Sequence, residues 1–522
     1  MNLLHLLLQS LVQIQNEQSI DQIIDYWFGK ATGWFVDLIF YQIPITQDVN
    51  LPWVLIPLIF GALFFTIYFK FPNIRLLGLS ARIVSGKYDS VESDSTQDNL
   101  IDGDNPDTIR IEHASGEVSH FQALSTALSA TVGLGNIAGV AIAVVVGGAG
   151  ATFWMILAGF LGMSLKFVEC TLGVKYRDVD ENGKVYGGPM YYISKGIPNP
   201  VGKVLAFIFA VMCILASFGG GNMFQSNQAT SIFLSSVGLN EGIYKVLFGL
   251  VLAFLVAIVI IGGIKRIAQV TEKIVPFMAI IYVGAALIIL VLNFQLIPLA
   301  IETIVTRAFS PIAITGGVLG VLVQGFRRAA FSNEAGIGSS PIAHATVRTK
   351  YPASEGLVAL LEPFIDTVVI CTFTALVIVI GHLEGYYHFG GMDGTVIIHG
   401  TDLKLSGVGL TSYVFEHNIP YFSIILTISV LLFAFSTMIS WSYYGLQSWI
   451  YVFGKGAKKE LVYKIIFCVF VVVGSAAQIT NVLNFSDAMI FAMLVPNMIG
   501  LFVLFPKVNG ELQRYLKAID KK

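Results

Sequence analysis

The sequence predicts an all-α polytopic membrane protein, and three observations carry that prediction. Of its 522 residues, 55% are apolar and only 12% are charged, about half the usual charged share. Apolar runs of membrane-crossing length recur along the chain. One of them, Ser119–Gly150, is interrupted by glycines at its centre. Hydrocarbon tolerates opened backbone only where it lines a cavity or meets a polar ligand. The net charge of −2 gives no case for nucleic acid. Cys170, Cys213, Cys371 and Cys468 all lie in apolar runs. They form neither a disulfide framework nor a CxxC metal site.

In chain order, residues 1–50 read as an extracytoplasmic extension. Met1 to Val12 is apolar but lacks the basic region of a secretory signal. Ile20 to Tyr41 carries aromatics at helical spacing with Asp21, Asp25 and Asp37, which predicts one or two interfacial helices. Residues 51–70 hold an extra membrane helix, about Leu51–Phe69. Residues 71–118 form a cytoplasmic loop with an acidic, Ser/Asp-rich, mobile centre.

The interrupted span follows. Its centre is Val132-Gly133-Leu134-Gly135-Asn136, and each glycine costs a helix about 1 kcal/mol relative to alanine. A break there places the N–H groups of the following half-helix where they suit a carboxylate. The carbonyls of the preceding half suit a cation or an ammonium. Two other readings stand beside this one. Small residues also permit close helix packing. A dinucleotide fingerprint would need a strand and a βαβ unit, and the sequence supplies neither.

Further apolar spans lie near Ala151–Gly173, Val204–Phe218, Val246–Gly263, Val275–Leu296, Pro311–Phe326, Leu357–Ile380, Tyr421–Tyr443, Val462–Ala477 and Ala488–Phe505. The total is about eleven. Basic residues cluster in alternate loops, with Arg327, Arg328, Arg348 and Lys350 counted after span seven. That alternation puts the C-terminus in the cytoplasm and the N-terminus outside. The outer loop Gly381–Pro420 holds His382, His388, His399 and His417, at spacings that match no compact metal site.

Without the extra first helix, ten spans remain and divide into two five-helix repeats, residues 119–296 and 297–506, before a cytoplasmic tail, 507–522. Span seven, opening the second repeat, is also glycine-interrupted, at Gly316, Gly317 and Gly320. Two interrupted helices at matching places point to an inverted-repeat transporter with its site at the breaks. Polar residues at depth are few. Span nine carries Ser436 and Thr437, with Trp441 one turn later. The amide run Asn222–Gln228 either lines the cavity or sits at the outer interface, since amides are costly to bury unsatisfied. Glu362 and Asp366 in span eight are suspects by depth, with Arg327 or Arg328 as possible partners. Lys166 and Glu169 are spaced to pair.

Together these residues resemble a family. The stretch SHFQALSTALSATVGLGNIAGVA, with Gly187–Tyr192, Gly221-Asn222-Met223, Phe331–Gly336 and Phe435-Ser436-Thr437, is similar to the signature of the alanine/glycine:cation symporters, across about His120 to Lys507. The resemblance implies a LeuT-like fold, in which the substrate carboxylate meets the N-terminal end of a broken half-helix. It further implies that the N–H groups of Leu134 and Gly135, beside Gly133, hold a substrate carboxylate. The Thr131 carbonyl and the backbone of Thr315, Gly316, Gly317, Val318 and Leu319 would take the ammonium. Gln225, Thr437 and Trp441 would line the pocket. The carbonyls of Ser129 and Val132 and the hydroxyls of Ser436 and Thr437 would hold one Na⁺, and Asn136 matches a possible second Na⁺ position.

The expected function is therefore Na⁺-coupled import of small neutral amino acids, alanine or glycine, across the cell (inner) membrane. No cofactor is expected beyond the coupling ion. The alternatives are a proton-coupled or glutamine-type transporter of the same fold, or a membrane-embedded sensor. No cluster with catalytic spacing points to an enzyme.

Overall fold

The computed structural model describes residues 20–44, 50–93, 116–239, 242–310, 317–391, 394–477 and 479–520. The apolar stretch Met1–Val12, most of the acidic loop centre and residues 311–316 lie outside them. Helix α1 (Ile20–Ile39) is one helix where one or two were expected. A hairpin, Gln42–Pro44 with Asn50–Pro52, leads into α2 (Leu55–Tyr68).

The interrupted span is two helices, α3 (His120–Thr131) and α4 (Val140–Gly147), bent by 50°. Ser119 and Gln122 start α3 with a reciprocal cap, each side chain bonding the other's backbone N–H, as the S-x-x-Q spacing allows. Next come α5 (Ala151–Lys175), α6 (Pro200–Phe218), α7 (Phe224–Ser236), α8 (Gly242–Ile260) and α9 (Gly263–Leu292). The chain continues through α10 (Gly317–Asn333), α11 (Pro352–Ala359), α12 (Thr372–Leu383), α13 (Phe422–Phe453), α14 (Ala457–Ala476) and α15 (Ile479–Asp520).

Among the described residues, seven helices are long and apolar enough to cross a membrane, or eight with the bent pair taken as one span. Each coincides with an expected span. The remaining three of the expected eleven fall on helices that miss those criteria. Helix α2 has only 14 residues. Helix α10 has 17 and adjoins the undescribed segment. Helix α14 carries Lys458, Lys459, Glu460 and Lys464 in its first half. These spans make the protein an integral membrane protein.

Helix α5 is the central packing element, with 72% of its most apolar window buried. In hydrocarbon, helices associate by close packing rather than by escape from water. Accordingly, a Cβ at Gly159 would meet Thr367 at 2.6 Å, one at Gly162 would meet Ala335 at 2.9 Å, and one at Gly173 would meet Pro341 at 2.9 Å. By contrast only 33% of the corresponding window of α8 is buried, so its apolar side chains face lipid.

Gly316 lies within the undescribed residues 311–316 and Gly317 borders them, and the described part of span seven opens at its other end. Helix α10 runs unbroken from Gly317 to Asn333. The chain then opens at Glu334, whose φ of 57° is left-handed, and passes through turns to a short helix at Pro341–His344. Helix α10 lies beside α4, with Gln324 against Gly147 and Ser332 against Gly135. At ~1.5 Å per residue, Gly317, Val318 and Leu319 are about 20 Å from the Gly135 contact. They do not adjoin the first break, and Thr315 and Gly316 lie outside the described residues. Gly317 is the first described residue of α10, and the polar run Ser332-Asn333-Glu334 marks the opening at its far end.

Arg327 and Arg328 are also reassigned. Both pair with Asp487 near the start of α15, Arg327 at 2.7 Å, and the Arg327 guanidinium lies 4.2 Å over the Phe40 ring. Phe40 and Trp53 are at the entry end of α2, opposite the end that leads to Phe69 and Asn73. These arginines therefore lie at the end opposite Lys70 and Arg75, with which the loop alternation groups them, and neither reaches Glu362 or Asp366.

Candidate functional site

The bend in the first interrupted span opens its hydrogen-bond ladder. After the Val132 N–H bonds the Leu128 carbonyl, the ladder resumes at Gly133, whose carbonyl accepts from Asn136, and at Leu134, whose carbonyl accepts from Ile137, Ala138 and Gly139 in a widened, π-type turn. Among the described residues the Gly135 N–H has no acceptor, and the carbonyls of Ala130, Thr131 and Val132 have no donor. Unpaired backbone at this depth is costly. The arrangement offers a donor on one side of the bend and acceptors on the other.

Two side chains converge here. The Leu134 N–H donates to Gln225 Oε1 at 3.3 Å, and the Gln225 amide donates to the Gly220 carbonyl at 3.1 Å. The Thr437 hydroxyl donates to the Ser129 carbonyl at 2.9 Å. A Cβ on Gly133 would lie 2.5 Å from Thr437 Oγ1 and 3.4 Å from Gln225 Oε1. So Gly133, Gln225 and Thr437 share one small space, and the glycine is there because a side chain would fill it. Gly135 instead faces Ser332 Cα at 3.5 Å and Phe331 at 3.6 Å.

The expected cation ligands are only partly assembled. Ser129 and Thr437 meet directly, and the Ser440 hydroxyl donates to Ser129 Oγ at 3.0 Å. Ser436 joins through its carbonyl, which accepts from Ser129 Oγ at 2.7 Å. Its hydroxyl turns away, to the Phe433 carbonyl at 3.0 Å and Met278, the back-bonding common to serines in helices. Ser440, one turn on from Ser436, takes the place expected of the Ser436 hydroxyl.

Asn136 is engaged at both ends. Its Oδ1 accepts from the Gly133 N–H at 2.9 Å, and its Nδ2 donates to Asp366 Oδ1 at 2.6 Å. Asp366 Oδ2 accepts from Ser332 at 2.8 Å and from Thr367 at 2.7 Å. Asp366, a suspect by depth in the sequence, thus stands beside the break. Asp366 is fully buried there, and no ion-pair partner for it is found among the described residues.

Trp441 is 1% exposed and packs on the backbone of the Gly219–Met223 turn, where a Cβ on Gly221 would lie 2.2 Å from Trp441 Cγ. Its indole N–H donates to Glu334 Oε1 at 3.0 Å. The amide run divides by depth. Asn222 donates to the Phe467 carbonyl and Asn227 to that of Ala477, both at 2.7 Å. Asn227 and Gln228 line a cavity of about 990 Å³ that also touches Lys404, Val408 and Glu416. That cavity begins one turn beyond Gln225, on the side of the 381–420 loop.

Below the site, charged groups form a buried ladder. Lys166 pairs with Glu362 at 3.0 Å rather than with Glu169, which accepts from Asn497 at 2.6 Å. His344 bonds Glu355 at 2.5 Å, Glu355 also binds His120, and His120 bonds Glu92 at 2.7 Å. Glu92 accepts in addition from Tyr515 and Thr349, so the edge of the acidic loop is buried and anchored. Sequence spacing missed the ladder because its members come from segments far apart in the chain.

The sequence model of the sodium:alanine symporter family matches residues 40–522. The chain is 43% identical over 407 residues to the sodium/alanine symporter AgcS of Methanococcus maripaludis, covering 77% of this chain and 85% of that one. It is 36% identical over 406 residues to a Bacillus subtilis protein named probable sodium/glutamine symporter GlnT, covering 77% and 80%. In structure it is similar to MhsT in complex with L-phenylalanine, at a TM-score of 0.51 and 13% identity, over 76% of this chain and 99% of that one.

Proposed function

Since the chain belongs to the sodium:alanine symporter family, we propose that it imports a small neutral amino acid, alanine or glycine, together with Na⁺. It is a transporter rather than an enzyme, and Na⁺-coupled amino-acid symport is its class. The preference for alanine or glycine is our reading of the site.

One observation carries it: the bend at Val132–Gly135 leaves one N–H and three carbonyls open at a buried point. An α-amino acid needs donors for its carboxylate and acceptors for its ammonium. The Gly135 N–H serves the first, joined by the Leu134 N–H when Gln225 yields to the incoming oxygen. The Thr131 carbonyl serves the second. Phe331 and Ser332 replace the Thr315–Leu319 backbone as the span-seven contact. Trp441 and the Gly133 space keep the side-chain end small. Ser129, Val132, Thr437 and Ser440 offer neutral oxygens for Na⁺, and Asp366 with Asn136 stands where a second cation would balance a buried carboxylate. On this reading the cavity beside Gln228 is the entry route, the 381–420 loop lies outside and the Glu92 end lies inside. The repeats at 119–296 and 297–506 remain the proposed division of the chain.

The test is uptake of labelled alanine into proteoliposomes under an inward Na⁺ gradient. Concentrative uptake that collapses without Na⁺ supports the proposal. Full uptake in Na⁺-free buffer driven by a pH gradient overturns the coupling ion, and glutamine competing better than alanine overturns the substrate.

A further inference from the structure

We infer that Glu334 is a positioning residue that sets the size of the amino-acid pocket by holding the indole of Trp441 through its ring N–H. This rests on the reading above that Trp441 bounds the pocket.

Trp441 follows Thr437 by four residues on α13, so both lie on one helix face. Thr437 reaches Ser129 and Gly133 at the break, and Trp441 is the next side chain along that face. One side of its indole rests on the Gly221 backbone, which no side chain cushions. The ring N–H is the remaining handle, and a buried indole N–H needs an acceptor. Glu334 Oε1 supplies it at 3.0 Å.

The acceptor is itself held. Glu334 Oε2 accepts from the Ser339 hydroxyl, and the residue's φ of 57° is a conformation uncommon outside glycine. That backbone turn aims the carboxylate back at α13. A neutral acceptor would satisfy an indole N–H. A carboxylate at membrane depth is expensive, and what it adds is a charge-assisted bond about twice as strong as a neutral one. The result is a wall that does not yield to a branched substrate. Without that bond the indole has only packing to fix its two χ angles, and the pocket can enlarge.

The experiment uses the full chain in proteoliposomes with labelled alanine, a Na⁺ gradient, and unlabelled glycine, alanine and valine as competitors. Glu334→Met removes the acceptor at nearly constant volume, and Glu334→Gln restores one. Trp441→Phe removes the N–H without touching the Glu334 backbone. Glu334→Met should raise the potency of valine relative to alanine roughly tenfold, the size of one charge-assisted bond. Glu334→Gln, whose neutral acceptor makes a bond of about half that strength, should leave a shift of only about threefold. Trp441→Phe should shift the ranking in the same direction, and adding Glu334→Met to it should change the ranking by less than about twofold, because the shared bond is already gone. Wild-type ranking in Trp441→Phe, or multiplying effects in the double variant, overturns the inference. If Glu334→Met does not reach the membrane, Trp441→Phe alone decides. Absence of Na⁺-driven alanine uptake in the wild type overturns the transport reading itself, and this inference with it.

Discussion

The side-chain amide of Asn136 donates to the carboxylate of Asp366 over 2.6 Å, tying the broken segment of one span to the middle of another. Asn136 also receives the Gly133 N–H, so a change of charge at Asp366 is transmitted to the backbone of the bend through a single side chain. Ser332, from the span that contacts Gly135, shares the same carboxylate. Three of the helices that meet at the site are joined at one group.

Asp366→Asn keeps the shape and removes the charge. Hydrogen bonds to a charged group are worth about 1.5–3 kcal/mol, so Na⁺-driven alanine uptake should fall by roughly ten- to a hundredfold, with normal expression. The charge moved per alanine, measured electrically in the same vesicles, should change as well. A variant that matches the wild type in both would make Asp366 structural.

The cation site should depend on Thr437 more than on Ser436. Thr437→Ala removes a hydroxyl that touches the Ser129 carbonyl, whereas Ser436→Ala removes one bonded to its own helix. We expect Thr437→Ala and Ser440→Ala to raise the Na⁺ needed for half-maximal uptake by about tenfold, near the 1.4 kcal/mol of one good hydrogen bond. Ser436→Ala should change it by less than about twofold. Through linkage, alanine affinity should fall along with Na⁺ affinity. An equal effect at all three positions would argue against this hydroxyl geometry.

The two glycines of the break should differ. At Gly133 even alanine would place its Cβ 2.5 Å from Thr437 Oγ1, so Gly133→Ala should abolish alanine uptake. At Gly135 the nearest atom to a new Cβ is at 3.5 Å, an ordinary contact, so Gly135→Ala should retain measurable uptake. Gly135→Leu should lose it, because a long side chain cannot fit between Ser332 and Phe331 while leaving the N–H open. Uptake assays on matched amounts of membrane-inserted protein check all three, and full activity of Gly135→Leu would remove Gly135 from the cradle.

The buried ladder of charged groups should matter for stability. Glu355 is fully buried and bonds both His120 and His344. Glu355→Ala leaves two buried imidazoles without their carboxylate, and breaking a buried pair in this way costs about 3–5 kcal/mol. Thermal unfolding of the detergent-purified protein should shift down by several degrees. Glu355→Gln, which keeps an acceptor, should lose less. An unchanged unfolding temperature in Glu355→Ala would show that the ladder contributes no net stability.

Much of the architecture could be read before any coordinates. Hydropathy located the spans, because a helix in hydrocarbon must be apolar over its whole length. Glycine at 133 and 135 located the first break, because helix propensity acts locally. The pairing of Thr437 with Ser129 followed from depth and from resemblance. The same local reading at Gly316 and Gly317 points into and beside the undescribed residues 311–316. The opening at the far end of α10, after three polar residues in an apolar run at Ser332–Glu334, carried only a family motif in the sequence.

By itself the sequence determined what depends on local chemistry: a helical membrane protein, a first break at Val132–Asn136, and hydroxyls at the right depth to meet it. Only the tertiary structure decided which buried charges face one another. Lys166 took Glu362 instead of Glu169, Arg327 and Arg328 took Asp487, and Asp366 came to the break. The physical reason is that at membrane depth a charge or amide must find a partner wherever the packing offers one. Those partners lie 159 to 230 residues apart in the chain, where sequence spacing carries no information.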